Sequence, residues 1–254
     1  MRINKTEQNF YSGTSGLALT IPKRLFPPEY QDKTRLSYYA SLFNSVEINS
    51  SFYKVPLAST VSKWSEMVPL DFRFTFKLWK GITHNKRLEF NPEDVDHFIK
   101  TIDHAGDKKG CLLIQFPPSL TISGLDQLKD LLQCIRKADP GKQWLTAVEF
   151  RNKSWYQQEV YDLLDEDTIS LVIHDHPSSV TPLIKSATEL VYLRYHGING
   201  DYKGSYTSEF LQDRALQIHD WLKDGKTVYT YFNNTIGDAV KNLMDLNELV
   251  RRSL

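Results

Sequence analysis

The chain has 254 residues, 41% hydrophobic and 24% charged, and its 31 basic and 31 acidic side chains balance to zero formal charge. That apolar content can bury a sizeable core and is too high for a disordered chain. Without a basic surplus, non-specific binding to nucleic acid or anionic membrane is disfavoured.

The strand-like runs are rich in β-branched, aromatic and aliphatic residues, and they alternate with amphipathic stretches. In chain order the runs are Tyr11–Ser15, Val46–Asn49, Phe72–Leu78, Leu112–Phe116, Leu145–Phe150, Ile169–His174, Val191–Tyr195 and Val228–Phe232. Helical periodicity falls between most of them, at Pro92–His104, Leu125–Ile135, Ser154–Leu164 and Ser208–Leu222, and follows the last at Ile236–Leu249. Asn91 before Pro92 reads as an N-cap with proline at the first helical position. The segment His176–Glu189 carries two prolines and little helical signal, so an irregular connection is expected between strands six and seven. Residues 1–254 thus read as one α/β domain, a (β/α)8 TIM barrel. An open doubly wound sheet shares the local signals, but no GxGxxG follows the first strand.

Cys111 opens an apolar run and Cys134 lies in a helical pattern, so both read as small buried hydrophobes, with no CxxC or zinc spacing. Met1–Phe10 lacks the apolar core of an export signal, and no apolar run approaches the roughly 20 residues that span a bilayer. The expected location is therefore cytoplasmic, with no membrane partner.

Side chains alternate sides along a strand. In the third run Phe72, Phe74, Phe76 and Leu78 form the outward set, which points Arg73, Thr75 and Lys77 inward. The same parity turns Glu47 and Asn49, Leu113 and Gln115, Ala147, Glu149 and Arg151, Val172 and His174, and Tyr192, Arg194 and His196 inward. One register of the eighth run adds Tyr229, Tyr231 and Asn233. Six strands deliver polar side chains to one face, mostly near their C-terminal ends, where barrels place their chemistry. The competing interpretation is an ion-pair network that merely fills the interior, an unfavourable way to pack a core.

Several strings resemble one family: GTSG at Gly13–Gly16, YYASLFNSVEINSSFY at Tyr38–Tyr53, FTFKLWKGITH at Phe74–His84, QFPPS at Gln115–Ser119, VEFRNKSW at Val148–Trp155, LRYHG at Leu193–Gly197 and YFNNT at Tyr231–Thr235. The chain resembles the domain of unknown function 72 family, the YecE-like proteins, nearly end to end. The resemblance implies a (β/α)8 barrel close to those of xylose isomerases and endonuclease IV, and no established reaction. It implies a pocket at Glu47, Asn49, Lys77, His84, Gln115, Glu149, Arg151, Arg194, His196 and Asn233. The string His174-Asp175-His176 is less typical of the family.

Glu47, Glu149 and His196 are the expected catalytic groups: two carboxylates that could divide acid and base roles, and a strand-end histidine. Each carboxylate has an alternative as one half of an ion pair, Glu47 with Lys77 and Glu149 with Arg151 or Arg194. Asn49, Lys77, His84, Gln115, Arg151, Arg194 and Asn233 are expected to bind substrate, and the three cations suit an anionic or polyhydroxylated small molecule. No cofactor is expected. A divalent metal stays open, with Glu47, Glu149, His174 and His196 as its ligands, although three nearby cations would repel it. The leading function is a hydrolase, lyase or isomerase acting on a sugar, sugar phosphate or phosphate ester. The rivals are a metal-dependent phosphodiesterase or sugar isomerase and a non-catalytic metabolite-binding protein.

Overall fold

The computed structural model describes residues 9–182 and 187–253, so most of the stretch read for an export signal, residues 1–8, lies outside it. Its strands are β1 (Phe10–Thr14), β2 (Ser45–Ile48), β3 (Arg73–Lys77), β4 (Lys109–Gln115), β5 (Leu145–Glu149), β6 (Ser170–Leu171), β7 (Ile173–His174), β8 (Leu190–Tyr195) and β9 (Thr227–Phe232). They form two sheets, β2-β3-β4-β5-β6 and β1-β9-β8-β7, and every pairing is parallel. The architecture is an α/β fold with parallel sheets.

The sheets meet at two seams. The expected sixth strand is split at Val172, with β6 on one sheet and β7 on the other, while the Val172 amide still donates to the Val148 carbonyl of β5 at 2.9 Å. At the other seam Ser15 bridges Glu47 in parallel, and the Gly16 amide donates to the Glu47 carbonyl at 2.7 Å. The Asn44 side chain stitches the same seam, accepting from the Ser12 amide at 2.9 Å and donating to the Phe10 carbonyl at 2.8 Å. Gly13 permits this approach, since a Cβ there would lie 2.1 Å from the Ser45 carbonyl oxygen.

Among the described residues seven helices connect or follow the strands: α1 (Arg35–Leu42), α3 (Ala58–Glu66), α5 (Pro92–Ile102), α6 (Leu125–Ala138), α7 (Gln158–Glu166), α8 (Ser208–Lys223) and α9 (Ala239–Ser253). Two single turns, α2 (Ser50–Tyr53) and α4 (Lys80–Thr83), follow β2 and β3. Asn91 caps α5 by accepting from the Glu93 amide at 3.1 Å, with Pro92 in the first turn. The helix expected over Ser154–Leu164 begins later. Trp155 is held in a 3-10 turn, its indole donating to the Leu120 carbonyl at 2.8 Å and its ring stacked 4.6 Å from Phe150. Between β7 and β8 the described residues 175–182 and 187–189 contain no helix, and residues 183–186 of that irregular connection lie outside the described residues. Among the described residues no helix is long and apolar enough to cross a membrane.

Strand parity separates two apolar clusters. The outer one packs Phe72, Phe74, Phe76, Leu78, Ile114, Val148 and Phe150 under the helices. The inner one contains Cys111, Leu113, Ala147, Val172, Leu190, Tyr192, Tyr229 and Tyr231. Tyr229 and Tyr231 therefore point inward, which settles the register of the last strand. Cys111 is fully buried and Cys134 half-buried, both as free thiols. Phe76 is fully buried among Phe74, Trp64 and Trp144, edge-on to Trp144 at 5.7 Å. Phe76→Ala should therefore lower unfolding free energy by about 3–5 kcal/mol in urea denaturation. Leu70→Ala, at a position 83% exposed, should stay within about 0.5 kcal/mol.

Candidate functional site

The polar ends of the strands converge on Arg194 of β8, whose guanidinium is fully buried. Its Nε and Nη2 donate to the two oxygens of Glu47 from β2, at 2.8 and 2.6 Å. Its Nη1 donates to Glu149 of β5 at 2.8 Å. One cation thus joins carboxylates from separate strands of the other sheet. Glu47 also accepts from Ser15 Oγ and Tyr192 Oη, each at 2.7 Å. The other oxygen of Glu149 accepts from Arg151 Nε. Glu47 therefore pairs with Arg194, not with Lys77 as one expectation had it. Pairing depends on distance across the interior, which strand adjacency does not give.

Burial pushes both carboxyl groups up, yet the opposing charges outweigh it. Arg194 and the hydrogen bonds of Ser15 and Tyr192 hold Glu47 below the usual carboxylate range. Arg151 and Arg194 hold Glu149 well below it. Both are ionised, and two carboxylates against two guanidinium groups leave this network neutral.

His196 is fully buried beside the network. Its Nε2 accepts from Arg151 Nη2 at 2.7 Å and from Arg194 Nη1 at 3.1 Å. With Nε2 as acceptor the ring proton sits on Nδ1, 3.3 Å from Asp175 Oδ1. Asp175 also accepts from the His196 amide at 2.7 Å and from the Tyr206 hydroxyl. Burial and the two arginines outweigh Glu149 and keep His196 neutral, well below the usual range. His174 turns its Nε2 to the Phe150 carbonyl at 3.0 Å, and its Nδ1 accepts from the His176 amide at 3.2 Å. Burial brings it down to about 4.

In front of the network lies a cavity of about 330 Å³ at the C-terminal ends of the strands. Asn49, Lys77, Gln115, Arg151, Arg194 and Asn233 line it, with Ser15, Phe52 and Tyr202. His84 does not line it. Its ring meets the Phe52 ring edge-on at 4.8 Å and borders a neighbouring cavity with Lys86 and Arg87. The expected catalytic groups Glu47, Glu149 and His196 are fully buried and do not line this cavity, their polar atoms engaged by arginines, Ser15, Tyr192 and Asp175. Asn49 Oδ1 is buried without a hydrogen-bond partner among the described residues. A larger cavity of about 670 Å³ sits near the N-terminal ends of β1 to β3, bordered by Phe10, Asn44 and Arg251, and holds none of these residues.

Lys77 differs from the other cations. Its Nζ rests 4.0 Å from the centre of the Phe52 ring, and no carboxylate among the described residues lies within ion-pair distance of it. Burial, then the charge of Arg194, bring its amine down to about 7, against a partial opposing pull from Glu149 and Glu47.

The residues do not fit a metal centre. Among the described residues no group of three or more His, Cys, Asp or Glu is arranged to hold an ion. Glu47, Glu149 and His196 spend their lone pairs on guanidinium donors, and His174 faces a carbonyl oxygen.

Sequence reasoning missed Ser15 and Phe52 as parts of this assembly and did not connect Asp175 or Tyr206 with His196. Ser15 lies in the GTSG string, and Asp175 lies between two histidines. Phe52 lies in the string Tyr38–Tyr53, and Tyr206 carries no signal beyond being an aromatic residue in a loop-rich segment.

Removing the shared cation tests the network. Arg194→Met leaves two buried carboxylates short of charge and should cost about 3–5 kcal/mol in urea denaturation. Adding Glu47→Gln to that variant should recover part of the loss.

The sequence pattern described as "Protein of unknown function DUF72" matches residues 11–254. The "UPF0759 protein YunF" of Bacillus subtilis (strain 168) is 28% identical over 264 residues, covering 89% of this chain and 90% of its own. A DUF72 family protein from Enterococcus faecalis V583 superposes with a TM-score of 0.78 at 22% identity, covering 95% of each chain. A xylose isomerase domain containing protein from Salmonella typhimurium LT2 gives 0.51 at 13% identity, covering 100% of this chain and 97% of its own, a likeness of fold alone. The chain belongs to the DUF72 family.

Proposed function

We propose that the chain is an enzyme built on a (β/α)8 barrel, with the two seams closing its parallel sheets into a ring of eight strand positions. It acts on a small anionic or polyhydroxylated molecule, such as a sugar acid or sugar phosphate, held in the cavity at the C-terminal mouth. The reading rests on one observation: Lys77 is a cavity-lining amine over the Phe52 ring without a carboxylate partner among the described residues, and burial and Arg194 bring it down to about 7. A group poised there can both give and take a proton at the working pH.

In this reading the acid–base role belongs to Lys77. Glu47, Glu149 and His196 are positioning residues that fix Arg194 and Arg151. Arg194 has all three of its nitrogens engaged, so it supplies field more than contact. Arg151 keeps Nη1 without a partner among the described residues, which suits it to an anionic group of the substrate. Asn49, Gln115 and Asn233 offer the amide groups that orient hydroxyls, and the orphaned Asn49 Oδ1 is an acceptor awaiting a donor. Hydrolysis, elimination and isomerisation all use such a set.

The test is anion affinity as a function of pH. Sulfate and gluconate hold their charge between pH 6 and 8, so any change belongs to the protein. The groups acting on Lys77 are Arg194, Arg151, Glu149 and Glu47, all of fixed charge in that window, with His84 neutral nearby, its ring brought down to about 4. Lys77 is a cation below about 7 and loses that charge above it. Sulfate affinity should therefore fall about tenfold from pH 6 to pH 8, measured by calorimetry or thermal shift. Lys77→Met should flatten the profile at the weak end, and Lys77→Arg at the strong end. A profile unchanged in Lys77→Met would remove Lys77 from the site.

A further inference from the structure

We propose that Lys77 is a covalent site: its amine captures the carbonyl of a small anionic aldehyde or ketone, of the α-oxo acid kind, as an imine. This deepens the reading above and rests on it, since it requires that the cavity accept an anionic molecule.

The geometry separates two jobs that a lysine usually combines. An amine that holds a carboxylate as an ion pair is protonated and cannot attack. Lys77 has no such partner among the described residues, and its Nζ lies over the face of Phe52 in a cavity that Arg151 and Arg194 also line. Desolvation and neighbouring cations are the two conditions that free a lysine amine as a nucleophile. Sulfate draws on both Arg151 and the Lys77 ammonium; for an oxo acid that reacts with the amine, the carboxylate falls to Arg151 alone, whose Nη1 is unengaged while Nε and Nη2 are fixed by Glu149 and His196. A molecule with its carboxylate on Arg151 could then present an adjacent carbonyl carbon to Lys77. Asn49 Oδ1, buried and unpartnered, can accept from the hydroxyl formed at that carbon. The cavity volume of about 330 Å³ suits a molecule of a few carbons.

The chemistry balances without an added reagent. The nitrogen lone pair forms a bond to the carbonyl carbon as the carbon–oxygen π bond breaks, and a proton passes from nitrogen to oxygen. The carbinolamine then loses its hydroxyl with the second nitrogen-bound proton as water, leaving a carbon–nitrogen double bond. Nothing is oxidised or reduced. The protonated imine draws electrons from the adjacent carbon, which is what an isomerase or lyase step at that carbon requires.

Reductive trapping tests the proposal directly. The full-length protein is incubated at pH 6.5 with pyruvate and sodium cyanoborohydride, which delivers hydride to the imine carbon to give a stable secondary amine. Peptide mass spectrometry then maps the label. An ordinary lysine has on the order of one amine in 10⁴ unprotonated at this pH, so Lys77 should be labelled on the order of 100-fold faster than surface lysines. Labelling should saturate with pyruvate, be suppressed by sulfate, and be absent from Lys77→Arg and Lys77→Met. Methyl pyruvate, with the same carbonyl and no charge, should label without saturation and without competition from sulfate. Labelling of Lys77 no faster than that of surface lysines would overturn the imine. Sulfate and pyruvate binding to the same preparation then locates the failure: a thermal shift without trapping removes only the covalent step, and no shift with either removes the anion-site reading as well.

Discussion

The site is organised around one buried guanidinium. Taking a charge out of water costs several kcal/mol, and the cost is met only when geometry and hydrogen bonds are both good. Arg194 meets it with Glu47 on one side and Glu149 on the other. Each carboxylate in turn needs its remaining lone pairs filled, which fixes Ser15, Tyr192 and Arg151. Arg151 then sets the tautomer of His196, and His196 sets the use of Asp175 and Tyr206. The chain of obligations runs from β1 and β2 through β5 to β8, so the network also holds the strands of the two sheets against each other. Scaffold and site are one interaction here.

The parallel α/β fold and the inward-facing residues were legible because the strands obey a clean period of two. Phe72, Phe74, Phe76 and Leu78 declare the outward face so strongly that Arg73, Thr75 and Lys77 have nowhere else to point. The ionic partners were not legible. Glu47 meets Arg194, and their sequence separation of 147 residues carries no trace of that meeting. Loop residues were harder still, because parity stops where the strand stops. His84 follows β3 closely in sequence, yet the single turn α4 carries it past the cavity to the far edge of Phe52. Tyr206 arrives from the segment before α8 with nothing in its neighbourhood to mark it.

In the proposed function, conspicuous residues and reactive residues are different sets. Glu47, Glu149 and His196 stand out in the sequence as acid–base groups. Burial and saturated hydrogen bonding make them the least able to change protonation near neutral pH, since every proton gained would break an arginine contact. A titration that costs so much structure is held far from neutrality, as the depressed carboxyl groups and the depressed His196 both indicate. Reactivity passes to the charge that the network leaves over.

That leftover charge is tuned by its exclusion from the network. Burial comes first and the charge of Arg194 second in bringing the Lys77 amine down, against the opposing pull of Glu149 and Glu47. An anion entering the cavity changes this balance. If it settled against Lys77 it would stabilise the ammonium form and silence the amine. If it settles on Arg151 instead, the amine stays available. In the proposed function the position of the substrate's charge therefore decides whether Lys77 serves as a cation, a proton donor or a nucleophile. An arginine clamped by Glu149 and His196, with one nitrogen left open, is the feature that makes that position selective.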